Sequence, residues 1–417
     1  MPGLRRGERK NGFAAGDCPL SRPLILIACL RTNLRGTDMK GFLKLLGLLL
    51  LVAVAYLLAW PVPIDPVAWT PPPNPGLTGK FAVNNELAAA ERLAQGHGAG
   101  PEAVVVGPDG RIYTGYLDGR LSAIDPRSGK VEDLENTGGR PLGVSFDAAG
   151  RLFIADAVQG LMMLEPDGGE IRVLSNAANG QALGFVDDLD LDAQGNVYFS
   201  DASAKFGVHQ VMESFFEHRG EGALLRYDPR TGKTAELAAG LHFPNGVALG
   251  PDDEYLLLTE TAKYRVLKYW LKGDKAGSIE TFIDNLPGFP DNITFNGRDT
   301  YWLALYGPRT ADLDQLLPQP FLRKIIYRLP DAVQPAPAKH GIVIGLNLDG
   351  EVVANLQAQG PDSFAPVTSV RQHGEWLYLG SLSAPSIARV KNPLWTGPEN
   401  LEVLEQVQAL IEGDSPD

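Results

Sequence analysis

A short pattern of turn residues and β-rich runs recurs along most of the chain. Each copy has a polar turn, a strand-like apolar run, a second such run and another polar turn. The turn positions that mark the copies are Gly110, Gly150, Gly195, Asp253, Gly297 and Gly374. Their spacings of 40, 45, 58, 44 and 77 residues are typical of propeller blades with insertions. The sequence therefore predicts an all-β, six-bladed β-propeller over residues 80–413.

Two insertions explain the long spacings. They run from Lys205 to Glu221 and from Pro308 to Lys339, and both carry apolar residues at roughly helical spacing. We predict that these segments wall a pocket, rest on a membrane or add core packing, and the pattern leaves all three open. A pair of four-stranded sandwiches is the alternative architecture, but the regular alternation of turn and strand argues against it.

A different pattern precedes the repeats. Residues 41–60 are apolar except for Lys44 near the start, and Trp60 stands at the end. Twenty helical residues cover roughly 30 Å, the thickness of a bilayer core, and an interfacial tryptophan suits that position. We predict a transmembrane signal-anchor helix. A cleaved signal peptide fits less well because Trp60-Pro61-Val62-Pro63 is a poor cleavage site, and a buried core helix is the third alternative.

The first 40 residues carry eight basic and three acidic side chains. Excess positive charge before an anchor predicts a cytoplasmic tail, so the propeller is expected outside the cytoplasm, which is the periplasm if the cell is Gram-negative. Met39 resembles a natural start for such an anchor, so residues 1–38 are either an over-called extension or a disordered tail. Residues 61–79 hold seven prolines before position 76 and predict a stiff, extended linker.

Charge and cysteine content narrow the functional classes. The net charge is −13 over 417 residues, which disfavours nucleic-acid binding because phosphates require clustered Lys and Arg. Both cysteines, Cys18 and Cys29, precede the anchor. The predicted propeller therefore has no disulfide, no thiolate nucleophile and no cysteine metal ligand. Nothing in the sequence defines an oligomeric state.

Five loops precede predicted blades and carry recognisable motifs. They are Gly100-Pro101-Glu102, Arg140-Pro141-Leu142-Gly143, Phe185-Val186-Asp187-Asp188-Leu189, Phe243-Pro244-Asn245-Gly246-Val247 and Gly288-Phe289-Pro290-Asp291-Asn292-Ile293. In a propeller such loops lead into the innermost strands, at one end of the central channel. Four of the residues offer oxygen from four different blades: Glu102, Asp187, Asn245 and Asp291. Calcium prefers six to eight such oxygen ligands, whereas zinc sites usually contain His or Cys.

The order of these motifs over residues 62–392 resembles the strictosidine synthase-like and adipocyte plasma membrane-associated protein family. More distantly it is similar to gluconolactonases, regucalcin and paraoxonases. The resemblance implies that Glu102, Asp187, Asn245 and Asp291 hold one axial Ca²⁺. The family usually has Asn-Asp where this chain has Asp187-Asp188, so the site gains a negative charge here.

Four further residues are predicted as supporting groups or substrate contacts. Asp188 and Asn292 each follow a predicted ligand, and the resemblance suggests that Asn292 is a ligand or substrate contact. His242 lies just before the Phe243-Pro244-Asn245 motif, and Glu260 ends a predicted central strand. The alternatives are an ordinary loop position for His242 and an ordinary strand end for Glu260.

The resulting prediction is a membrane-anchored, calcium-dependent hydrolase of small esters or lactones, similar to arylesterases and gluconolactonases. Asp291 is the predicted base or nucleophile, although metal ligation should lower its pKa and make it a poorer base. One alternative is a propeller that binds partners without catalysis. The other is strictosidine synthase-type condensation of an amine with an aldehyde. The expected partners are a small ester or lactone and the membrane.

Overall fold

The computed structural model describes residues 39–166, 168–330 and 338–397. The predicted cytoplasmic tail before Met39 and the last part of the predicted propeller range, after residue 397, lie outside the described residues. The chain divides into two compact units between Pro61 and Val62.

The first unit contains one long helix, α1 (Met39–Ala59), of 21 residues. It begins two residues before the predicted segment and ends one residue before its predicted end. At 1.5 Å per residue it measures about 31 Å, enough to cross a bilayer core. Among the described residues it is the one helix that is long and apolar enough for a membrane span.

The second unit is a six-bladed β-propeller, as predicted. Each blade is a four-stranded antiparallel sheet. The strands of blade 1 are β2 (Val104–Val106), β3 (Ile112–Gly115), β4 (Arg120–Ile124) and β5 (Val131–Asn136). Those of blade 2 are β6 (Pro141–Phe146), β7 (Leu152–Asp156), β8 (Gly160–Leu164) and β9 (Arg172–Ser175). Those of blade 3 are β12 (Val186–Leu191), β13 (Val197–Asp201), β14 (Gly222–Asp228) and β15 (Lys233–Leu241).

The remaining blades follow the same order, except that the last takes one strand from the start of the domain. The strands of blade 4 are β16 (Pro244–Leu249), β17 (Tyr255–Glu260), β18 (Arg265–Trp270) and β19 (Ile279–Ile283). Those of blade 5 are β20 (Gly288–Phe295), β21 (Thr300–Pro308), β22 (His340–Asn347) and β23 (Val352–Gln359). Those of blade 6 are β24 (Ser369–His373), β25 (Trp376–Gly380), β26 (Ile387–Lys391) and β1 (Glu91–Leu93). A two-stranded hairpin, β10 (Ala177–Ala178) and β11 (Gln181–Ala182), precedes blade 3.

Packing between blades explains the hydrophobic pattern. The inner strands are buried on both faces, as in β7 and β17, whereas the outermost strands such as β5 and β19 are largely exposed. Six hydrophobic clusters lie between the six pairs of neighbouring blades. Each of the six predicted turn residues lies in the turn between the first and second strands of its blade, and so the repeat corresponds to the blade.

Blade 6 closes the ring. Its outermost strand β1 pairs antiparallel with β26, with Leu93 opposite Ile387 and Glu91 opposite Arg389. The Arg389 side chain also donates to the Glu91 carboxylate, with Nε to Oε2 at 2.8 Å. The first and last parts of the domain are therefore joined without a covalent bond.

Both insertions contain helices. The first has a 3₁₀ turn (Val208–Gln210) and α2 (Val211–Glu217). The second has α3 (Ala311–Leu316) and α4 (Pro320–Tyr327). Thr310 caps α3 by accepting from the Leu313 N–H, and Pro320 opens α4, where its missing N–H costs no hydrogen bond. Four further 3₁₀ turns occur at Gly79–Phe81, Glu86–Ala89, Pro251–Asp253 and Thr261–Lys263.

Residues 62–78, which we call the strap, contain no helix or strand and lie against these inserted helices. The Asp65 N–H donates to Glu217 Oε2 at 2.7 Å, and the Trp69 ring stacks on His218 with centroids 4.6 Å apart. The buried Arg323 donates to the Val67 carbonyl, as well as to the Phe216 carbonyl at 2.8 Å. The strap is therefore fixed to the propeller by buried polar contacts.

Candidate functional site

Backbone irregularities at the start of the innermost strands position the predicted ligands. In blades 3, 4 and 5 the pairing register shifts between Val186 and Leu189, between Pro244 and Val247, and between Pro290 and Ile293. In each blade the two residues inside that shift are left out of the ladder, as in a β-bulge. These are Asp187-Asp188, Asn245-Gly246 and Asp291-Asn292. The bulge thus aims a polar side chain at the axis in three blades.

The four predicted ligands come together at one end of the channel. Asn245 Nδ2 donates to Asp187 Oδ2 at 3.2 Å, and Asn245 also lies within hydrogen-bonding reach of Asp291. Glu102 is close enough to raise the pKa of Asp187 and of Asp291 through its charge. All four side chains are buried, with exposed fractions of 1 to 5%.

The backbones of neighbouring blades approach each other closely around the four predicted ligands. The Glu102 carbonyl accepts from Ser369 Oγ at 2.6 Å, and a Cβ on Gly380 would lie 1.7 Å from that same oxygen. A Cβ on Gly246 would lie 2.5 Å from the Ile293 nitrogen of the next blade. Glycine is therefore required at both positions to let neighbouring blades meet at the site.

Three oxygens at this site have no hydrogen-bond partner among the described residues: Asp187 Oδ1, Asn245 Oδ1 and Asp291 Oδ1. A buried polar atom without a partner costs free energy, so three together point to a missing ligand with positive charge. No group of three or more His, Cys, Asp or Glu side chains in the described parts of the chain forms a metal site by itself. A cation here would need the Asn245 amide oxygen, and this all-oxygen set fits calcium.

The pKa shifts of the buried carboxyl groups also support a cation site. Burial raises the pKa of Glu102 to about 7, although Arg140 opposes the shift. Burial also raises the pKa of Asp187 well above its usual value, and the charges of Glu102, Asp291 and Asp188 add to the effect. The pKa of Asp291 rises for the same reasons, burial first and Glu102 next. These carboxyl groups repel one another, and a bound cation would favour their ionised forms.

Asp188 and Asn292 lie on the channel side of the bulges. Both line a cavity of about 10 Å³ in the central channel, together with Asp190 and Arg371, a volume that suits about one water molecule. Asp188 Oδ2 accepts from the Val247 N–H at 2.9 Å, and burial raises the pKa of Asp188 to about 7. Both residues therefore lie next to the predicted ligands but within the channel.

His242 and Glu260 pair with each other. His242 Nδ1 lies 3.3 Å from Glu260 Oε1, and Arg265 Nη2 lies 2.6 Å from Glu260 Oε2. Burial alone would raise the pKa of Glu260, but the bonds from His242 and the charge of Arg265 outweigh it and lower the pKa. Glu260 is thus occupied in a buried ion pair at the end of β17.

An apolar wall covers the acidic site. Leu142, Phe185 and Phe243 each precede or occupy a bulge, and they form one buried cluster that Phe215 of α2 packs against. The Phe215 ring lies 4.9 Å from that of Phe243 and 6.0 Å from that of Phe289. The first insertion therefore adds core packing through Phe215, which is one of the three roles that the sequence left open.

Two residues near the site were not predicted as functional. Arg140 is buried beside Glu102, with Nη2 3.5 Å from Glu102 Oε2. Tyr306 lies in the last part of β21 next to the Asp291 bulge, and its pKa is raised by burial and by the charges of Asp291 and Glu102. The sequence did offer one signal for Arg140. It is a charged residue directly before Pro141, in a blade whose bulge carries Leu142 instead of a predicted ligand.

The fold and the site define a class: six-bladed propellers with an axial, oxygen-lined polar site. The family model described as strictosidine synthase matches residues 187–274, and the model described as strictosidine synthase-like, N-terminal, matches residues 79–124. Adipocyte plasma membrane-associated protein of Danio rerio is 32% identical over 369 residues, which cover 84% of this chain and 89% of that protein. Strictosidine synthase-like protein 6 of Arabidopsis thaliana is 35% identical over 310 residues, covering 73% and 82%.

The chain belongs to this family of strictosidine synthase-like and adipocyte plasma membrane-associated proteins, as its motifs predicted. Solved gluconolactonase structures share the fold. One from Xanthomonas campestris has a TM-score of 0.53 at 16% identity and covers 80% of this chain and 99% of its own. Another, described as a putative gluconolactonase, has a TM-score of 0.52 at 19% identity and covers 73% and 93%.

Proposed function

We propose that this protein is a membrane-anchored, calcium-dependent hydrolase of small esters or lactones. The observation that carries the proposal is the set of three buried, unpartnered oxygens on Asp187, Asn245 and Asp291. Solved gluconolactonases with this fold and the apolar helix α1 support the chemistry and the anchor. We propose the orientation in which the N-terminus is cytoplasmic and the propeller lies outside.

The site residues would have two roles, which are cation binding and proton transfer. Glu102, Asp187, Asn245 and Asp291 would hold the cation. When bound, a divalent cation polarises a carbonyl oxygen of the substrate and makes the carbonyl carbon more electrophilic. Asp291 would hold the cation through Oδ1, which has no partner among the described residues, and its other carboxylate oxygen would accept a proton from the attacking water. The apolar wall around Phe243 and Phe215 would keep water away from the substrate's apolar part.

The first test uses the full chain in detergent micelles with a panel of aryl esters and lactones. We expect turnover that a calcium chelator abolishes and added calcium restores. Asn245→Ala and Asp291→Asn should each lower turnover by at least about tenfold, because loss of a ligand or its support typically weakens a metal site that much. Asp299→Asn, in the exposed turn that follows β20, is the matched control and should behave as wild type.

Full turnover in chelator and in both site variants would refute the proposal. Calcium binding without turnover across the panel would favour a binding scaffold instead. Condensation of an amine with an aldehyde in the presence of chelator would favour the strictosidine synthase-type reaction.

A further inference from the structure

Arg140 is a buried cation at the start of blade 2, one of the two blades that supply no predicted ligand. Blade 2 has Leu142 at the bulge position that holds Asn245 in blade 4 and Asp291 in blade 5. The Arg140 side chain is 4% exposed, and Nη1 donates to the Gly100 carbonyl at 2.8 Å. Burying a guanidinium is costly unless negative charge lies nearby, so its placement needs an electrostatic explanation.

The charges around Arg140 supply that explanation. The neighbouring carboxylates whose charges act on it most are Glu102, Asp156 and Asp187. Asp156 Oδ1 accepts from the backbone N–H groups of Val158 and Gln159, and so the negative charge of Asp156 is stabilised by its own turn. Glu102 and Asp187 belong to the predicted ligand set.

The charges of the predicted ligands and of Arg140 partly cancel. With Glu102, Asp187 and Asp291 ionised, the ligands carry three negative charges, and the one positive charge of Arg140 leaves a net charge of −2. This is equal and opposite to the charge of a divalent cation. Asp188 and Asp190 face the channel, where Arg371 acts on both of them, so their charge is partly offset there.

We propose that Arg140, which lies against Glu102, compensates one negative charge of the predicted ligand set and thereby tunes the site to divalent rather than trivalent cations. The inference rests on the cation site of the proposed function. Arginine suits the role because its guanidinium stays charged even when buried. Removing it leaves a net charge of −3, which attracts a trivalent ion more strongly than a divalent one because Coulomb energy scales with ion charge.

The test measures binding rather than turnover. Calcium and terbium(III) affinities are determined by calorimetry on the full chain in detergent, at one pH and ionic strength. Arg140→Gln removes the positive charge. Arg140→Lys keeps the charge but replaces the planar guanidinium group with a single ammonium group. We expect Arg140→Gln to tighten calcium binding on the order of tenfold and terbium binding on the order of thirtyfold. Arg140→Lys should keep the wild-type ratio of the two affinities.

A second variant separates charge from local packing. Asp187→Asn in the Arg140→Gln background restores the net charge of −2, so the double variant should return the ratio of affinities toward the wild-type value. Arg230→Gln, at an exposed position, controls for the overall charge of the protein. An unchanged ratio in Arg140→Gln, or the same change in Arg140→Lys, would overturn the inference. Absence of calcium and terbium binding to wild type would overturn the proposed function as well.

Discussion

Tyr306 adds a hydroxyl group to a site otherwise made of carboxylates, an amide and apolar side chains. It is half-buried in the last part of β21, and its hydroxyl has no hydrogen-bond partner among the described residues. The negative charges of Asp291 and Glu102 act on it and keep it protonated. Tyr306 is therefore available to donate a hydrogen bond to a ligand bound in this site.

Tyr306→Phe removes that donor and nothing else of the side chain's shape. We expect kcat/KM for esters and lactones to fall by about tenfold, since one hydrogen bond to a reacting group contributes about 1 to 1.5 kcal/mol. Calcium affinity, measured by calorimetry, should stay as in wild type because Tyr306 is not a predicted ligand. Unchanged kcat/KM would show that the hydroxyl does not contact the substrate.

Sequence motifs predicted the positions of Glu102, Asp187, Asn245 and Asp291, because the loops that carry them recur at the start of successive blades. The contribution of Arg140 depends on its distance from Glu102 in space, and Tyr306 reaches the site from a second strand. The positions of Arg140 and Tyr306 relative to the predicted ligands do not follow from spacing along the chain. The pairing of Glu260 with Arg265 likewise needed the register of β17 against β18.

At the level of elements, the strap and the inserted helices form one assembly. Glu217 at the end of α2 is 1% exposed and accepts from the Asp65 N–H and from Lys205 Nζ, the latter at 2.6 Å. Arg309 donates to the Pro72 carbonyl at 2.8 Å. Proline content predicted an extended segment here, but its docking depends on these long-range partners, which no local pattern reveals.

Deleting the strap should therefore loosen the inserted helices α2, α3 and α4. We compare a fragment that begins at Val62 with one that begins at Gly79, using amide hydrogen exchange. Protection of residues 205–221 and 309–328 should fall in the shorter fragment, because buried polar groups on Glu217 and Arg323 lose their partners. Protection of β7 and β8, in a blade remote from the strap contacts described above, is the internal control. Equal protection of residues 205–221 and 309–328 in both fragments would contradict the prediction.

For the molecule as a whole, the acidic site should link stability, calcium and pH. In the absence of a cation the pKa of Glu102 is about 7, compared with an ordinary value of 4.5. The folded protein then holds a proton that the unfolded chain has lost, so stability falls as pH rises from about 4.5 to 7. Asp187 and Asp291 shift in the same direction.

Calcium should cancel this loss, and so its stabilising effect should be larger at about pH 7.5 than at about pH 5. A calcium concentration of 100 times Kd adds about 2.7 kcal/mol, which corresponds to a rise in Tm of several degrees. Differential scanning fluorimetry of the full chain, with and without calcium at the two pH values, measures the effect. Asn245→Ala should weaken it, and an equal shift at both pH values would contradict the linkage.

Ring closure also has a consequence for biosynthesis. Glu91 and Arg389, which pair in blade 6, are 298 residues apart in the chain. A ribosome that adds about 5 to 20 residues per second needs about 15 to 60 s to bridge that interval. Throughout that time β1 has no partner strand, and an unpaired edge can associate with other chains. The propeller can therefore finish folding only after nearly all of it has been translated. A chaperone that covers the unpaired edge of β1 during this time would limit association with other chains.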